Sequence, residues 1–450
     1  MQTTDILTGR CFAVSFAGVN TNKALHVGHL RSIVVGNAVA SALTSAGAEV
    51  QRRSLIGDVG RRVFEAMAGY MTYHEGECPQ NLGLSGDRFV ELCSRDYLRE
   101  GAQSEVGHDI SDPNAEERKP LGDLADALME RWMQESAPER QLWRRMRGWV
   151  QGGHQRTLAR LGVVIDSYEF ESEAVPRAVA LATEGLESGL LKREEGGAVI
   201  RHTGQADYPT MVLSREDGFP TEHARLLGAY ERVLGNLRED EVYVDIAGVE
   251  WRPPGTALRE LLTKLRPALQ AKSHLRVFHE SVTIAGRKMG SSTGQVVWID
   301  DFLDEVATGP GVAILEKLSN GTVARADLAD LLVRGTFLCS PASRPLAFDS
   351  KTLSEGRPCP GWTIAEAWCR AQDPQESGGI APVARTAVLQ SQEFRQSLRR
   401  AVEKHDVTSL ARYLLNLSKV CLAAPTAGPA AAPILKRVLK SLGFLAGTGT

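Results

Sequence analysis

The sequence lacks the features that mark exported, membrane-spanning or strongly nucleic-acid-binding proteins. Its 450 residues carry no basic excess, because 52 Lys and Arg stand against 55 Asp and Glu, a formal net charge of −3. No apolar run is long enough to span a bilayer, and the N-terminus lacks a signal-peptide layout. The seven cysteines are scattered and form no C-x-x-C pair, which argues against a disulfide framework or a zinc site. We therefore expect a cytoplasmic protein without its own metal centre.

The chain has an ordinary globular composition, with 43% apolar and 24% charged residues, but it is too long for one compact core. Changes in periodicity and composition along the chain predict five regions. These are the first half of a sheet domain (1–61), a helical insertion (62–155), the second half of the sheet domain (156–310), a connecting region (311–382) and a helical C-terminal region (383–450).

The sheet domain opens with a strand–helix–strand pattern. The apolar stretch Cys11–Phe16 predicts a strand, residues 25–45 have helical periodicity, and EVQRRSLIGDVGRR begins with a second strand. This spacing is typical of a βαβ unit in a parallel sheet. Further strands are predicted at Ala198–Arg201, Met211–Leu213 and Val242–Ile246, as a continuation of the same domain.

The stretch NTNKALHVGHLRS places two histidines at the junction between the first strand and the helix that follows it. Backbone N–H groups at a helix N-terminus stabilise an anion, and ligands of a parallel sheet bind at the carboxyl ends of its strands. His26 and His29 lie on one face of a helical turn, Gly28 removes a side chain between them, and Lys23 adds a positive charge. These four residues together suit the binding of a nucleoside triphosphate, although two histidines at a helix start are more often structural.

A second segment, AGRKMGSSTGQVVWIDDFLDEV, carries Lys288 among small residues, as in a loop that closes over phosphates. Both motifs in this order resemble a class I aminoacyl-tRNA synthetase. The flanking segments GVNTNKALHVGHLRS, RLGVVIDSYEFES and REDGFPTEHAR narrow the resemblance to arginyl-tRNA synthetase. The resemblance covers residues 10–310 well and residues 385–450 weakly.

The resemblance implies an α/β fold: a Rossmann-type parallel sheet with a helical insertion, followed by a small all-α domain like a reduced anticodon-binding domain. It implies ATP as a substrate, with Mg²⁺ arriving on the phosphates. The implied catalytic residues are His26, His29, Lys23 and Lys288. The implied ATP-binding residues are Gly28, Gly248, Met289 and Ser291, and the implied amino-acid-binding residues are Asn20, Ser15, Leu226, Tyr230 and Glu250. Lys23 would replace a basic residue that the mobile KMGSS loop lacks.

The chain departs from the family where an arginine side chain would need acids. Ser15 stands at the position of a family Glu, and Leu226 stands at the position of a family Asp. Burying a guanidinium without a partner carboxylate is costly, so arginine is not the expected substrate. Glu222 or Glu250 could supply a replacement acid from a shifted position. The first strand also starts too early for the N-terminal tRNA-contacting domain that is usual in the family.

Three functions remain open from the sequence. The first is an ATP-dependent ligase that adenylates an amino acid other than arginine and passes the acyl group to a small amine or to tRNA. The second is a divergent but genuine arginyl-tRNA synthetase. The third is an inert paralogue that binds tRNA or a protein partner, a reading opposed by the intact histidine motif and by Lys288. A monomer without membrane association is expected in each case.

Overall fold

The computed structural model describes residues 6–106, 121–284, 287–288, 296–340, 344–371, 393–394, 396–401, 403, 407–423 and 428–445. None of the helices in these ranges is long and apolar enough to cross a membrane.

A five-stranded parallel sheet forms the centre of the first 310 residues. Its strands run in the order β3-β2-β1-β7-β8, and every neighbouring pair is parallel. Their bounds are β1 (Cys11–Ser15), β2 (Glu49–Ile56), β3 (Ser167–Phe170), β7 (Glu241–Gly248) and β8 (Ser273–His279). All five residues of β1 are buried, as expected for a central strand that is covered on both faces.

One face of the sheet is covered by α1 (Val27–Ser45). Most residues of this helix are buried, because it lies between the sheet and the C-terminal helices. A Cβ atom on Gly36 would lie 2.3 Å from the Phe16 ring, so only glycine permits this approach of helix to strand. The predicted βαβ unit is therefore present, with the helix starting two residues later than its periodicity indicated.

The insertion is a group of four helices with an apolar core of its own. They are α2 (Arg61–Tyr73), α3 (Gly86–Val106), α4 (Leu121–Met133) and α5 (Ala137–Arg160). Phe64, Phe89, Trp132 and Trp143 are buried in this core. The basic, tryptophan-containing stretch of α5 thus directs Trp143 inward rather than presenting it to a nucleic acid.

The opposite face of the sheet packs against α6 (Glu171–Glu187), α7 (Glu222–Asn236) and α8 (Arg252–Leu265). A separate antiparallel sheet lies beside them, formed by β4 (Lys192–Arg193), β5 (Val199–His202) and β6 (Thr210–Ser214). The strands predicted at Ala198–Arg201 and Met211–Leu213 are therefore present, but they pair with each other and lie outside the parallel sheet. The chain between β5 and β6 is too short for the crossover that parallel pairing requires.

The remaining elements are mainly helical. They are β9 (Val282–Ile284), β10 (Arg287–Lys288), α9 (Ile299–Thr308), α10 (Pro310–Leu318), α11 (Arg325–Cys339), β11 (Leu346–Phe348), α12 (Ser350–Ser354), α13 (Pro360–Ala371), α14 (Thr408–Ala423) and α15 (Gly428–Ser441). Helix α13 packs against both α11 and α14. The predicted connecting region thus contributes helices that pack with those of the C-terminal region, and the five-region division itself stays a prediction.

Candidate functional site

The two histidines of the opening motif cap helix α1 with their own rings. His26 is the N-cap residue, and its Nδ1 accepts a hydrogen bond of 3.1 Å from the backbone N–H of Gly28. Nδ1 of His29 in turn accepts a hydrogen bond of 3.2 Å from the backbone N–H of His26. The two rings stack with their centroids 3.7 Å apart. Both rings are therefore fixed in position by the first turn of the helix.

Burial keeps both imidazoles neutral. It lowers the pKa of His26 to about 4, with a further contribution from the Lys23 ammonium, and it lowers the pKa of His29 well below its usual value. Because each Nδ1 accepts a hydrogen bond, the proton of each neutral ring resides on Nε2. The helix start thus presents two Nε2–H donors in addition to its positive dipole end, an arrangement suited to phosphate oxygens.

Lys23 lies just before the two histidines, and its ammonium group is available to a ligand. Among the described residues, no ion pair or hydrogen bond of this ammonium is found. Burial lowers its pKa, while the carboxylates of Glu91 and Glu222 act in the opposite direction. His154 of α5 donates a 2.8 Å hydrogen bond to the Lys23 carbonyl, which fixes the backbone of this loop. The ammonium can therefore meet an incoming anion without first losing a partner.

The segment that follows the KMGSS loop is anchored directly on the histidine motif. The backbone N–H of Val27 donates to the Val297 carbonyl over 2.9 Å, and that of Ile299 donates to the Leu25 carbonyl over 3.0 Å. The backbone of Lys288 lies in β10. Met289 and Ser291, two of the predicted ATP-binding residues, lie outside the described residues, and so does the rest of the loop between 289 and 295.

Glu91 of α3 joins the two motifs, which the sequence did not indicate. Its Oε2 accepts hydrogen bonds from the Ala24 backbone N–H, at 3.1 Å, and from Trp298 Nε1, at 2.8 Å. The guanidinium of Arg88 lies 4.6 Å from the centre of the Trp298 ring. An acid within a helical insertion gives no motif signal, because its partners lie 67 and 207 residues away along the chain.

Asn20 lies exposed in the loop after β1. Its side chain packs on Gly57, since a Cβ atom there would lie 2.1 Å from Asn20 Oδ1. The next residue, Thr21, donates its backbone N–H to the Gly57 carbonyl over 2.9 Å. Asn20 is thus held at the carboxyl end of the sheet with its amide exposed.

Ser15 and Tyr230 meet around an acid that the sequence analysis did not single out. Ser15 is the register partner of Asp245 in the β1–β7 pairing, and the Tyr230 hydroxyl donates a 2.8 Å hydrogen bond to Asp245 Oδ2. Ser15 also hydrogen-bonds the Tyr243 side chain. Leu226 lies one turn before Tyr230 on α7 and is half-buried.

The two acids considered as replacements do not join this group. The Glu250 carboxylate folds back over Gly248 at the end of β7, where a Cβ atom would lie 2.4 Å from either carboxylate oxygen. Glu222 is exposed in the first turn of α7, and its charge acts on Lys23 and Glu171. Neither acid forms an ion pair within the described ranges. Gly248 is thus covered by Glu250 rather than left open.

A second buried network surrounds the GDVG turn after β2. Asp58 accepts hydrogen bonds from the Ser172 backbone N–H (2.8 Å), the Ser172 hydroxyl (2.7 Å) and Arg147 (3.0 Å). Beside it, Arg225 Nε donates to Glu171 over 2.7 Å. Burial raises the pKa of Glu171 to about 7 despite this pairing. The network ties β2, the insertion and helices α6 and α7 to one point near the site.

The sequence of residues 8–332 matches the family of class I tRNA synthetases (R), catalytic domain. The chain belongs to this family. The histidine motif, the KMGSS segment and all five strands of the parallel sheet fall within the matched range. As an arginyl-type class I synthetase relative, it has the α/β fold with a parallel sheet and a C-terminal helical region that the sequence predicted.

Curated relatives agree with this assignment. An arginine–tRNA ligase of Amoebophilus asiaticus is 29% identical over 297 residues, which are 65% of this chain and 49% of the relative. An arginine–tRNA ligase of Bacteroides fragilis is 26% identical over 433 residues, 90% of this chain and 72% of the relative. The chain thus spans from about half to under three quarters of the length of these relatives.

Solved structures of arginyl-tRNA synthetases share the fold. The Thermus thermophilus enzyme superposes with a TM-score of 0.72 at 21% sequence identity, covering 96% of this chain and 82% of that one. The Plasmodium falciparum enzyme gives a TM-score of 0.69 at 14% identity, covering 96% and 76%. At these identities the likeness shows the fold and does not assign a substrate.

Proposed function

We propose that this synthetase relative adenylates an amino acid other than arginine with ATP and transfers the acyl group to an acceptor. The observation that carries the adenylation is the pair of neutral, ring-capped histidines at the start of α1, with the uncommitted Lys23 ammonium beside them. Together they form a preorganised set of donors and positive charge, the requirement for nucleotidyl transfer.

In the proposed first step, a carboxylate oxygen of the amino acid attacks the α-phosphorus of ATP. The bond from the α-phosphorus to the bridging oxygen breaks, and pyrophosphate leaves with its Mg²⁺. The Nε2–H groups of His26 and His29 stabilise the charge that develops on the phosphate oxygens. Lys23, together with Lys288 of the KMGSS segment, neutralises the departing pyrophosphate. Mg²⁺ is carried by the phosphates, which suits an ion that binds through substrate oxygens.

Gly28, Met289 and Ser291 are proposed to line the ATP site, whereas Gly248, which the Glu250 carboxylate covers, is not. Asn20 is proposed to hold the α-amino end of the amino acid. In the second step the acceptor attacks the acyl carbon and AMP leaves. A small amine would give an amide, and a tRNA hydroxyl would give an ester. We further propose a cytoplasmic monomer, in line with the composition of the chain.

The preference against arginine is supported by the residues at the amino-acid end of the site. Ser15 and Leu226 carry no charge, and neither Glu222 nor Glu250 reaches them. A divergent arginyl-tRNA synthetase is the second candidate, favoured by the similarity to arginine–tRNA ligases. An inert paralogue would need neither the free Lys23 ammonium nor the ordered Nε2–H donors.

ATP–pyrophosphate exchange across a panel of the proteinogenic amino acids, each with and without bulk tRNA, tests the proposal. We expect exchange that is greatest with an amino acid other than arginine. Exchange that is greatest with arginine, at a micromolar KM, would establish the second candidate instead. Absence of exchange with every amino acid, in both conditions, would favour the inert paralogue.

A further inference from the structure

A row of charged side chains crosses the parallel sheet at the level of Ser15. In strand pairing, Arg53 of β2 is the neighbour of Ser15, Ser15 is the neighbour of Asp245 of β7, and Asp245 is the neighbour of Arg276 of β8. Register partners in a parallel sheet project to the same face, so these side chains share the face that α7 covers. The row lies at the carboxyl half of the sheet, where ligands of open α/β sheets bind.

The charges of the row are matched within the chain. Arg53 pairs with Glu169 of β3, with 3.1 Å between Nη1 and Oε1. Nε of Arg276 lies 3.7 Å from Oδ2 of Asp245. Ser15 stands between the two pairs and is neutral. The row therefore offers a substrate neither an unpaired acid nor an unpaired guanidinium.

Arg276 is enclosed on several sides. Its guanidinium carbon lies 5.4 Å from the centre of the Tyr230 ring, and a Cβ atom on Gly255 would lie 2.5 Å from Nη1. The side chains of Asp245 and Arg276 are only 16% and 13% exposed. Tyr230 completes the enclosure by donating its hydroxyl proton to Asp245. The space beneath Leu226 and Tyr230 is thus filled by the chain itself.

This arrangement disfavours a substrate side chain that carries either a positive or a negative charge. A cation placed against Asp245 would have to share its carboxylate with Arg276, and an anion placed against Arg276 would compete with Asp245. Each case would leave a buried charge incompletely paired. A short, uncharged side chain leaves both pairs intact, and Ser15 can still offer it a hydrogen bond.

We propose that the Arg276 guanidinium pairs with Asp245 in the place that a substrate guanidinium would otherwise take. The pocket therefore selects an amino acid with a short, uncharged side chain. This inference rests on the proposed adenylation at the same site. Asp245 and Arg276 are specificity-determining residues in this scheme and take no part in the chemical step.

Reciprocal variants test the pairing. Arg276→Met removes the guanidinium at similar length and leaves the Asp245 carboxylate free for a cation. Asp245→Asn keeps the shape and leaves Arg276 free for an anion. In ATP–pyrophosphate exchange, we expect wild type to prefer alanine or serine. Arg276→Met should raise exchange with arginine or lysine relative to alanine at least tenfold, and Asp245→Asn should do the same for aspartate or glutamate.

The matched control is Arg238→Met, which removes an arginine paired with exposed Glu49 at the amino end of the sheet, 2.9 Å away. It should leave every amino-acid ratio unchanged. Wild-type preference for arginine, or reciprocal variants whose ratios stay at the wild-type value while they melt normally, would overturn the inference.

A measurement without ATP separates this inference from the proposed function. Arg276→Ala leaves a guanidinium-sized space, and millimolar guanidinium ion should raise its melting temperature by several degrees relative to equal sodium chloride. Wild type and Arg238→Ala should show no such rise. Absence of stabilisation in Arg276→Ala would overturn the pairing role, even if exchange is normal. Absence of exchange with all amino acids would instead overturn the proposed function, while this measurement still decides the role of Arg276.

Discussion

At the scale of single residues, the histidine rings at the start of α1 do two things at once. The ordinary N-cap residues Ser, Thr, Asn and Asp accept from a backbone N–H through a short side chain, so any donor they retain lies close to the helix backbone. An imidazole that accepts through Nδ1 retains a donor at Nε2, about the width of the ring away. The stacked His26 and His29 therefore stabilise the helix and present donors with the same side chains.

Asparagine at position 26 separates these two roles. In His26→Asn the amide oxygen can still accept from the Gly28 N–H, but the distal donor is lost. We expect the kcat of pyrophosphate exchange to fall about a hundredfold, the scale for one preorganised donor at developing charge, with an unchanged melting temperature. His26→Gln, whose amide N–H reaches further, should recover part of the rate. Full activity in His26→Asn would show that His26 is only a cap.

At the scale of secondary-structure elements, the sequence predicted the features that depend on residues close together in the chain. The first strand, α1 and the histidine motif follow from local periodicity and from a motif within a few residues. The Asp245–Arg276 and Glu91–Trp298 contacts could not be predicted, because strand order and helix docking create them. Two strands of the small antiparallel sheet were predicted, but their pairing was not, because short apolar runs give no sign of which strand they pair with.

Glu91 couples the insertion to Trp298, which follows the KMGSS segment, and its loss should affect ATP binding more than stability. Glu91→Ala removes the acceptor for both Ala24 and Trp298, so the Lys23 loop and the base of the KMGSS loop lose their shared contact. We expect a several-fold rise in KM for ATP and a comparable fall in kcat. Asp96→Ala on the same helix removes contacts to His74, 3.1 Å away, and to Arg95, 3.7 Å away, and serves as the control. Equal kinetics in both variants would contradict the coupling.

Glu171 at the start of α6 should make stability depend on pH. Its pKa is about 7 in the folded chain and 4.5 in the reference state, so the folded state retains a proton that the unfolded state loses as pH rises. Because the pKa of this acid is raised in the folded state, the free energy of unfolding falls by roughly 3 kcal/mol in total between about pH 4.5 and 7. It is level above pH 7. This dependence of the unfolding free energy on pH requires a side chain at position 171 that can ionise.

The measurement compares wild type with Glu171→Gln in urea titrations at pH 5, 6, 7 and 8. Other titrating groups are common to both proteins and cancel in the difference. The unfolding free energy of wild type minus that of the variant should decrease as pH rises to 7 and then stay constant. A difference that increases with pH would mean that the Arg225 ion pair outweighs burial.

At the scale of the whole molecule, the proposed reaction would depend on parts that lie far apart in sequence. Residues 20–29, the insertion helix α3 and residues 297–299 meet at one point, and the strands that carry Ser15, Asp245 and Arg276 meet at another. Helix α7 reaches from Glu222, near Lys23, to Tyr230, above Asp245. The phosphate end and the side-chain end of the site are thus connected by one rigid element.

The charge of the whole molecule bears on which acceptor it uses. The net charge is −3, and three arginines of the C-terminal half have partners within the chain. Arg399 pairs with Glu403 over 2.8 Å, Arg334 pairs with Asp330, and Arg437 lies 5.3 Å from the centre of the Phe394 ring. These three arginines are engaged, and the negative net charge opposes the binding of a polynucleotide, which depends on cations that replace its counterions.

We accordingly expect weak tRNA binding with a shallow salt dependence. Neutralising about two phosphates would reduce affinity only about tenfold between 50 and 200 mM salt, whereas six to ten contacts would reduce it by about a thousandfold or more. Fluorescence anisotropy with labelled bulk tRNA over this range measures the slope. Arg399→Gln should leave the affinity unchanged, because its guanidinium is engaged by Glu403. A steep slope with nanomolar binding at 50 mM salt would contradict this expectation and favour tRNA as the acceptor. A shallow slope favours a small amine, which needs no extended basic surface to reach the adenylate.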